Sequence, residues 1–179
     1  WDADRPPSVR LLPVETRIDD TPLAELRQHP EAWTEILLPQ GDPGRLRQAF
    51  SAVQEVERVP LDRARQLGFV EEGDDGFLQP DAEGLVQVPR WRHAIVNWPH
   101  PLLEMGLVII DTPGLNAIGA EPELTLSMLP SAHAVLFILA ADTGVTQSDL
   151  AVWKHHVHGS GSRQHGRLVV LNKIDGLWD

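Results

Sequence analysis

The chain has 179 residues, 42% of them hydrophobic, a formal net charge of −11 and no cysteine. That size and apolar content support a packed core and exclude wholesale disorder, while the acidic balance excludes the broad basic face of a nucleic-acid binder. The missing cysteines exclude disulfides and thiolate metal sites, which fits the cytosol, and no apolar run approaches a membrane span or reads as a signal peptide.

Residues 1–22 are polar and proline-rich around one apolar knot, Val9, Leu11, Leu12 and Val14; they predict a loop with at most a short strand. Thr21-Pro22 before LAELRQH predicts a helix start, with Thr21 as cap and Pro22 in the first helical position, and Pro30 ends it. WTEILL (33–38) predicts a short strand. GRLRQAFSAVQEVERV (44–59) puts Leu46, Phe50, Val53 and Val56 at helical spacing and predicts one amphipathic helix. The stretch 70–84, VEEGDDGFLQPDAEG, is crowded with acids and glycine. It predicts a solvated loop, since its ligand spacing is too loose for a calcium site.

From residue 85 the pattern is more regular. WRHAIVNW (91–98) predicts a strand and PHPLLEMG a connector. LVIID (107–111), AVLFILAAD (134–142) and RLVVLNKID (167–175) are continuous apolar runs of the kind buried on both faces of a parallel sheet. Between them, AEPELTLSMLP (120–130) and TQSDLAVWKHHVHG (146–159) predict helices; Thr146 or Ser148 caps the second and Gly159 follows it. This alternation predicts an α/β sheet, which binds ligands beyond the carboxyl ends of its strands.

Polar groups gather at those ends. The first run closes on Asp111-Thr112-Pro113-Gly114, the second on Asp142-Thr143-Gly144 and the third on Asn172-Lys173-Ile174-Asp175. A carboxylate ending a central strand can hold Mg²⁺ through water, and a glycine three residues on leaves its N–H open to a γ-phosphate. DTPG alone is a weak signal. A strand-final DTPG followed by a strand-final NKID, with one strand and two helices between, is a strong one.

Together the two motifs resemble those of a GTPase, DTPG the switch II motif and NKID the base-recognition motif N-K-x-D. The resemblance implies that Asp175 accepts two hydrogen bonds from guanine, a donor pair adenine lacks. It implies that Asn172 orders the loop near the base and that Lys173 lays its methylene stem over the base plane.

IIDTPGLN followed by LPSAHAVLFILAADTGVTQSDL is similar to bacterial members of the dynamin superfamily, mainly over residues 91–179. Leu115 follows the DTPG glycine where Ras-like enzymes carry a water-orienting glutamine, in keeping with the dynamin-like pattern. The resemblance implies a P-loop NTPase-like, mostly parallel sheet with flanking helices, GTP as substrate, GDP as product and Mg²⁺ as cofactor. It also implies a switch I threonine on the ion. In LLPVETRI (11–18) that residue is Thr16, which would be both metal ligand and part of the catalytic machinery, with Thr21 as runner-up. Arg10 and Arg17 flank it, although exposed arginines seldom reach a phosphate.

A phosphate-binding loop needs G-x-x-x-x-G-K-[ST], and neither lysine of this chain, Lys154 or Lys173, follows a glycine. The expectation is therefore a middle segment of one GTPase domain. Residues 1–90 would hold the switch I region and an insertion, and 91–179 would run from switch II to the guanine motif. The phosphate-loop strand and the last strand would lie outside, and the segment alone would be inactive. His155 and His158 could ligate a metal, but they read better as polar residues on a helix's last turn. Trp91, Trp98 and Trp153 read as core or sheet cover. Membrane remodelling and self-association come from the resemblance alone. A guanine-nucleotide switch that does not hydrolyse, or a degenerate scaffold, is the alternative.

Overall fold

The computed structural model describes residues 1–19, 21–70, 78–112, 129, 132–158 and 166–177. They form two compact units, Trp1–Asp111 and Thr112–Asp179.

In the first unit the N-terminal knot is a central strand. β1 (Ser8–Pro13) lies between β2 (Thr34–Leu37) and β5 (Trp91–Asn97), antiparallel to both. Its apolar residues serve two cores. Val9 and Leu11 pack with Leu38 and Ala49, against which Trp91 and Trp98 also lie. Val14, one residue beyond the strand, joins Val59, Ala64, Leu67, Phe69, Val86 and Val88. The buried Asn97 ties down the residues before β1: its amide donates to the carbonyls of Asp2 and Pro6 at 3.0 and 3.2 Å and accepts from the Asp2 N–H at 2.8 Å.

Two predicted helices are shorter than expected. α1 is the single turn Leu23–Leu26, with Pro22 rather than Thr21 at the cap position and no side-chain cap bond. The Trp33 indole N–H takes the Leu26 carbonyl at 2.8 Å, and His29 precedes a proline, so the helix has nowhere to continue. α2 covers Pro43–Ser51, started by the Asp42 carboxylate accepting from the Gly44 and Arg45 N–H groups at 3.0 and 3.1 Å. It stops well before residue 59 because Val56–Pro60 is β3, paired antiparallel with β4 (Leu85–Pro89). VERVP alternates like a strand, and the Val59–Val86 pair gives it a buried partner that a helix would forfeit. Leu46 and Val53 pack as predicted, whereas Phe50 and Val56 are exposed. α3 (Leu61–Gln66) closes this second core, and α4 (Pro101–Glu104) is one turn within the predicted connector.

The expected strand at 107–111 does not form. Residues 107–110 have no regular secondary structure and Leu107, Val108, Ile109 and Ile110 are exposed, Val108 by 74%. An apolar strand of this kind needs ladder partners and cover on both faces, and among the described residues no strand pairs with it.

In the second unit β6 (Ala134–Ala140) and β7 (Gly166–Asn172) pair in parallel, in unbroken register from Ala134–Gly166 to Ala140–Asn172. α5 (Gln147–Val152) opens on a capping box, Thr146 Oγ1 accepting from the Asp149 N–H at 3.2 Å and Asp149 Oδ2 from the Thr146 N–H at 2.8 Å. It continues as a π-helical turn, Trp153–His158, and Trp153 sets its ring edge-on to Phe137 of β6, centroids 5.6 Å apart. The strands among the described residues thus make three small sheets, of which only β6–β7 is parallel, in place of the single mostly parallel sheet expected. The helix predicted at 120–130 lies almost wholly outside the described residues. No helix among the described residues is long and apolar enough to cross a membrane.

Candidate functional site

The NKID candidate leaves the end of β7. Because β6 and β7 run in parallel and in register, both strands deliver their following residues to the same edge. The Ala141 N–H donates to the Asn172 carbonyl at 2.9 Å, carrying the ladder one bond beyond the strands. Asn172 then folds its Oδ1 onto the Lys173 N–H at 2.9 Å. Lys173 has φ +57°, a left-handed backbone that costs a residue with a Cβ about 1 kcal/mol. A 3₁₀ turn, Ile174–Leu177, follows with Asp175 exposed in its first turn.

Lys173 also has a partner that its motif does not announce. Its Nζ lies 3.1 Å from Asp142 Oδ2, two residues past the end of β6. The Lys173 hydrogen bond and charge hold the Asp142 carboxyl below its ordinary range. Beside them Thr143 Oγ1 donates to the Ala140 carbonyl at 3.4 Å, and Gly144, at φ +69°, returns its N–H to the same carbonyl at 3.0 Å. Sequence reasoning placed Asp142 at this edge without assigning it a partner; the equal depth at which the two runs end was the available signal.

The phosphate-side candidates lie partly in the first unit. Thr16 sits in a 3₁₀ turn (Val14–Arg17) directly after β1, and its Oγ1 donates to the Pro13 carbonyl at 2.7 Å. Arg92 of β5 donates to the Thr16 carbonyl at 3.0 Å and the Thr21 carbonyl at 3.3 Å, binding both switch I candidates to the sheet. The flanking arginines have structural partners: Arg10 lies over Trp33, and Arg17 lies 4.6 Å from the Phe69 ring centre and donates to the Gly68 carbonyl. Asp111 is exposed at the end of the first unit and Thr112 begins the second. Pro113 and Gly114 lie outside the described residues, as does the predicted cap Gly159; of the His155–His158 pair, only His155 has a described side chain, and it is exposed. Trp91 and Trp153 act as cover: the Trp91 indole donates to the Ala52 carbonyl at 2.8 Å.

A hydroxyl and a carboxylate are hard oxygen donors of the sort Mg²⁺ takes. Thr16 spends its proton on Pro13 and keeps lone pairs for a cation, so the donor chemistry fits.

The sequence profile of the dynamin family matches residues 13–174, and the chain belongs to that family. The match reaches far upstream of the motif-bearing stretch. Among curated proteins, a bacterial dynamin-like protein of Nostoc punctiforme is 35% identical over 69 residues, 38% of this chain and 10% of that protein. GTPase Der of Aliivibrio salmonicida is 35% identical over 81 residues, 42% of this chain and 15% of its own length. GTPase Der of Vibrio atlanticus is 29% identical over 105 residues, 56% and 19%. The chain thus spans no more than a fifth of the length of these relatives. No solved structure matches it.

Proposed function

We propose that the chain carries the switch II and guanine-recognition parts of a dynamin-type GTPase domain, which binds GTP with Mg²⁺ and hydrolyses it to GDP. The observation that carries this reading is the β6–β7 edge, where NKID leaves β7 beside the end of β6 with Asp175 exposed in the next turn. Asp175 would accept from guanine, Asn172 would hold the loop through its bond to the Lys173 N–H, and the Lys173 stem would lie under the base. Asp111, through water, and the Thr16 hydroxyl would hold Mg²⁺, which when bound would screen the charge developing on the phosphates. Thr112, Pro113 and Gly114 would supply the backbone facing the γ-phosphate. The names of the relatives support GTPase chemistry; coupling to membrane remodelling or self-assembly follows from the family resemblance.

The test is calorimetric titration of the full-length protein with GTP and ATP, followed by turnover measurements with and without Mg²⁺. Comparable affinity for the two nucleotides would sink the assignment. A guanine-nucleotide switch that does not hydrolyse is the second reading. Single-turnover hydrolysis separates the two: a rate no faster than nucleotide release supports the switch.

A further inference from the structure

We propose that Asp142 is a positioning residue for Lys173, fixing the direction of the lysine stem on which the guanine base rests. The inference deepens the guanine-site reading and depends on it. Asp142 and Lys173 meet because the ladder partners Ala140 and Asn172 end their strands together and the Ala141–Asn172 bond holds the chains side by side beyond that point. The Lys173 Nζ–Asp142 Oδ2 distance is 3.1 Å, with the two side chains 59% and 51% exposed. Exposed pairs of this kind contribute little to folding stability. What such a pair does accomplish is to choose one direction for a long side chain with many rotamers.

The other end of the stem is fixed as well. The Lys173 backbone stands at φ +57°, and its N–H is taken by Asn172 Oδ1 at 2.9 Å. The backbone and the ammonium of Lys173 thus both have partners, one at each end of the four methylenes. The Asp142 carboxyl is held below its ordinary range by Lys173, so it stays charged throughout the neutral range.

The experiment compares GTP and ATP binding and GTP turnover in the full-length protein, Asp142→Asn, Lys173→Met and the double variant, at low and high salt. Asp142→Asn is expected to weaken GTP binding about two- to fivefold at low salt, with the difference shrinking at high salt, as for an exposed ion pair. The change should fall on KM rather than kcat, and it should vanish in the Lys173→Met background. Asp142→Glu, which keeps the charge, should stay within about twofold of the unmutated protein. Unchanged GTP affinity in Asp142→Asn, or an equal loss with and without Lys173, overturns the inference while leaving guanine selectivity intact. Loss of any GTP preference in the unmutated protein overturns the underlying reading instead, and the inference with it.

Discussion

Ala140 and Asn172 face each other as the last register pair of the parallel β6–β7 ladder. A slip of one residue would turn every side chain to the opposite face and part Asp142 from Lys173. At the far end of the ladder a Cβ added at Gly166 would stand in ordinary van der Waals contact with the Ala134 Cβ, at 3.4 Å. The geometry of the edge that carries NKID is thus set by strand pairing, and the loop residues inherit it.

From that edge comes the first prediction. Asp175→Ala in the full-length protein should weaken GTP binding by about tenfold or more, since guanine's donor pair is left unmatched, and should leave ATP binding unchanged. Competition of labelled GTP against both nucleotides reads the outcome; a parallel loss for GTP and ATP would mean that Asp175 does not read the base.

Asp111 gives the second. If it holds Mg²⁺ through water, Asp111→Ala should slow turnover by about 100-fold or more while GTP remains preferred over ATP. Turnover equal to that of the unmutated protein would remove Asp111 from the reaction.

How much of this was legible in the sequence depended on where the partners of each segment lay. The β6 and β7 runs and the Thr146 cap were readable because their signals are local: apolar runs of strand length bounded by capping and turn residues. β1 was under-read because its knot is surrounded by prolines, and its place at the centre of a sheet rests on pairing with residues 34–37 and 91–97. The stretch 44–59 has genuine helical spacing, but a strand partner at 85–89 claims its second half. LVIID carries the pattern of a buried strand and is exposed, because pattern records what a segment can bury and not whether a neighbour is there to cover it. The Lys173–Asp142 pair needed the register, which periodicity does not supply.

The turn before β4 yields a third prediction. Asp81 Oδ1 accepts from the Glu83 and Leu85 N–H groups at 2.9 and 3.0 Å, while its Oδ2 is held by Arg58 of β3. Gly84 completes the turn at φ +77° with open space where a Cβ would stand. Gly84→Ala should therefore cost about 1 kcal/mol through backbone strain alone. The Arg58 bond, then the backbone donors, hold the Asp81 carboxyl below its ordinary value. A lowered folded-state pKa contributes stability that is present above the ordinary carboxylate value and lost as pH falls through the lowered one. Melting in acid should show this loss, reduced in Asp81→Asn; a variant with the same acid sensitivity would detach the turn from it.

Lys173 offers a fourth test, one that separates folding from binding. Lys173→Gly suits the left-handed backbone and removes the stem. Stability should be unchanged or higher by up to about 1 kcal/mol, while GTP affinity falls. Thermal melts and nucleotide titrations on the same sample decide it: loss of stability would mean that the Asp142 pair contributes more to the fold than an exposed ion pair should.

The last prediction concerns residues 1–179 by themselves. The sequence contains no G-x-x-x-x-G-K-[ST], so the groups that would grip the β- and γ-phosphates are not among these residues. Among the described residues β6 and β7 form a two-stranded sheet, with Leu136, Ile138, Leu168, Val169 and Leu171 exposed along it. Two-stranded sheets are marginal in water, and open apolar edges accept further strands. The isolated chain should therefore bind GTP weakly, hydrolyse none measurably and self-associate with rising concentration. Ile138→Lys, a charge on the exposed strand, should reduce association without restoring nucleotide binding. Sedimentation across a concentration series, paired with GTP titration, tests both halves. A monomer at every concentration would refute the association argument, and tight GTP binding by the isolated chain would show that these residues grip the phosphates without the missing motif.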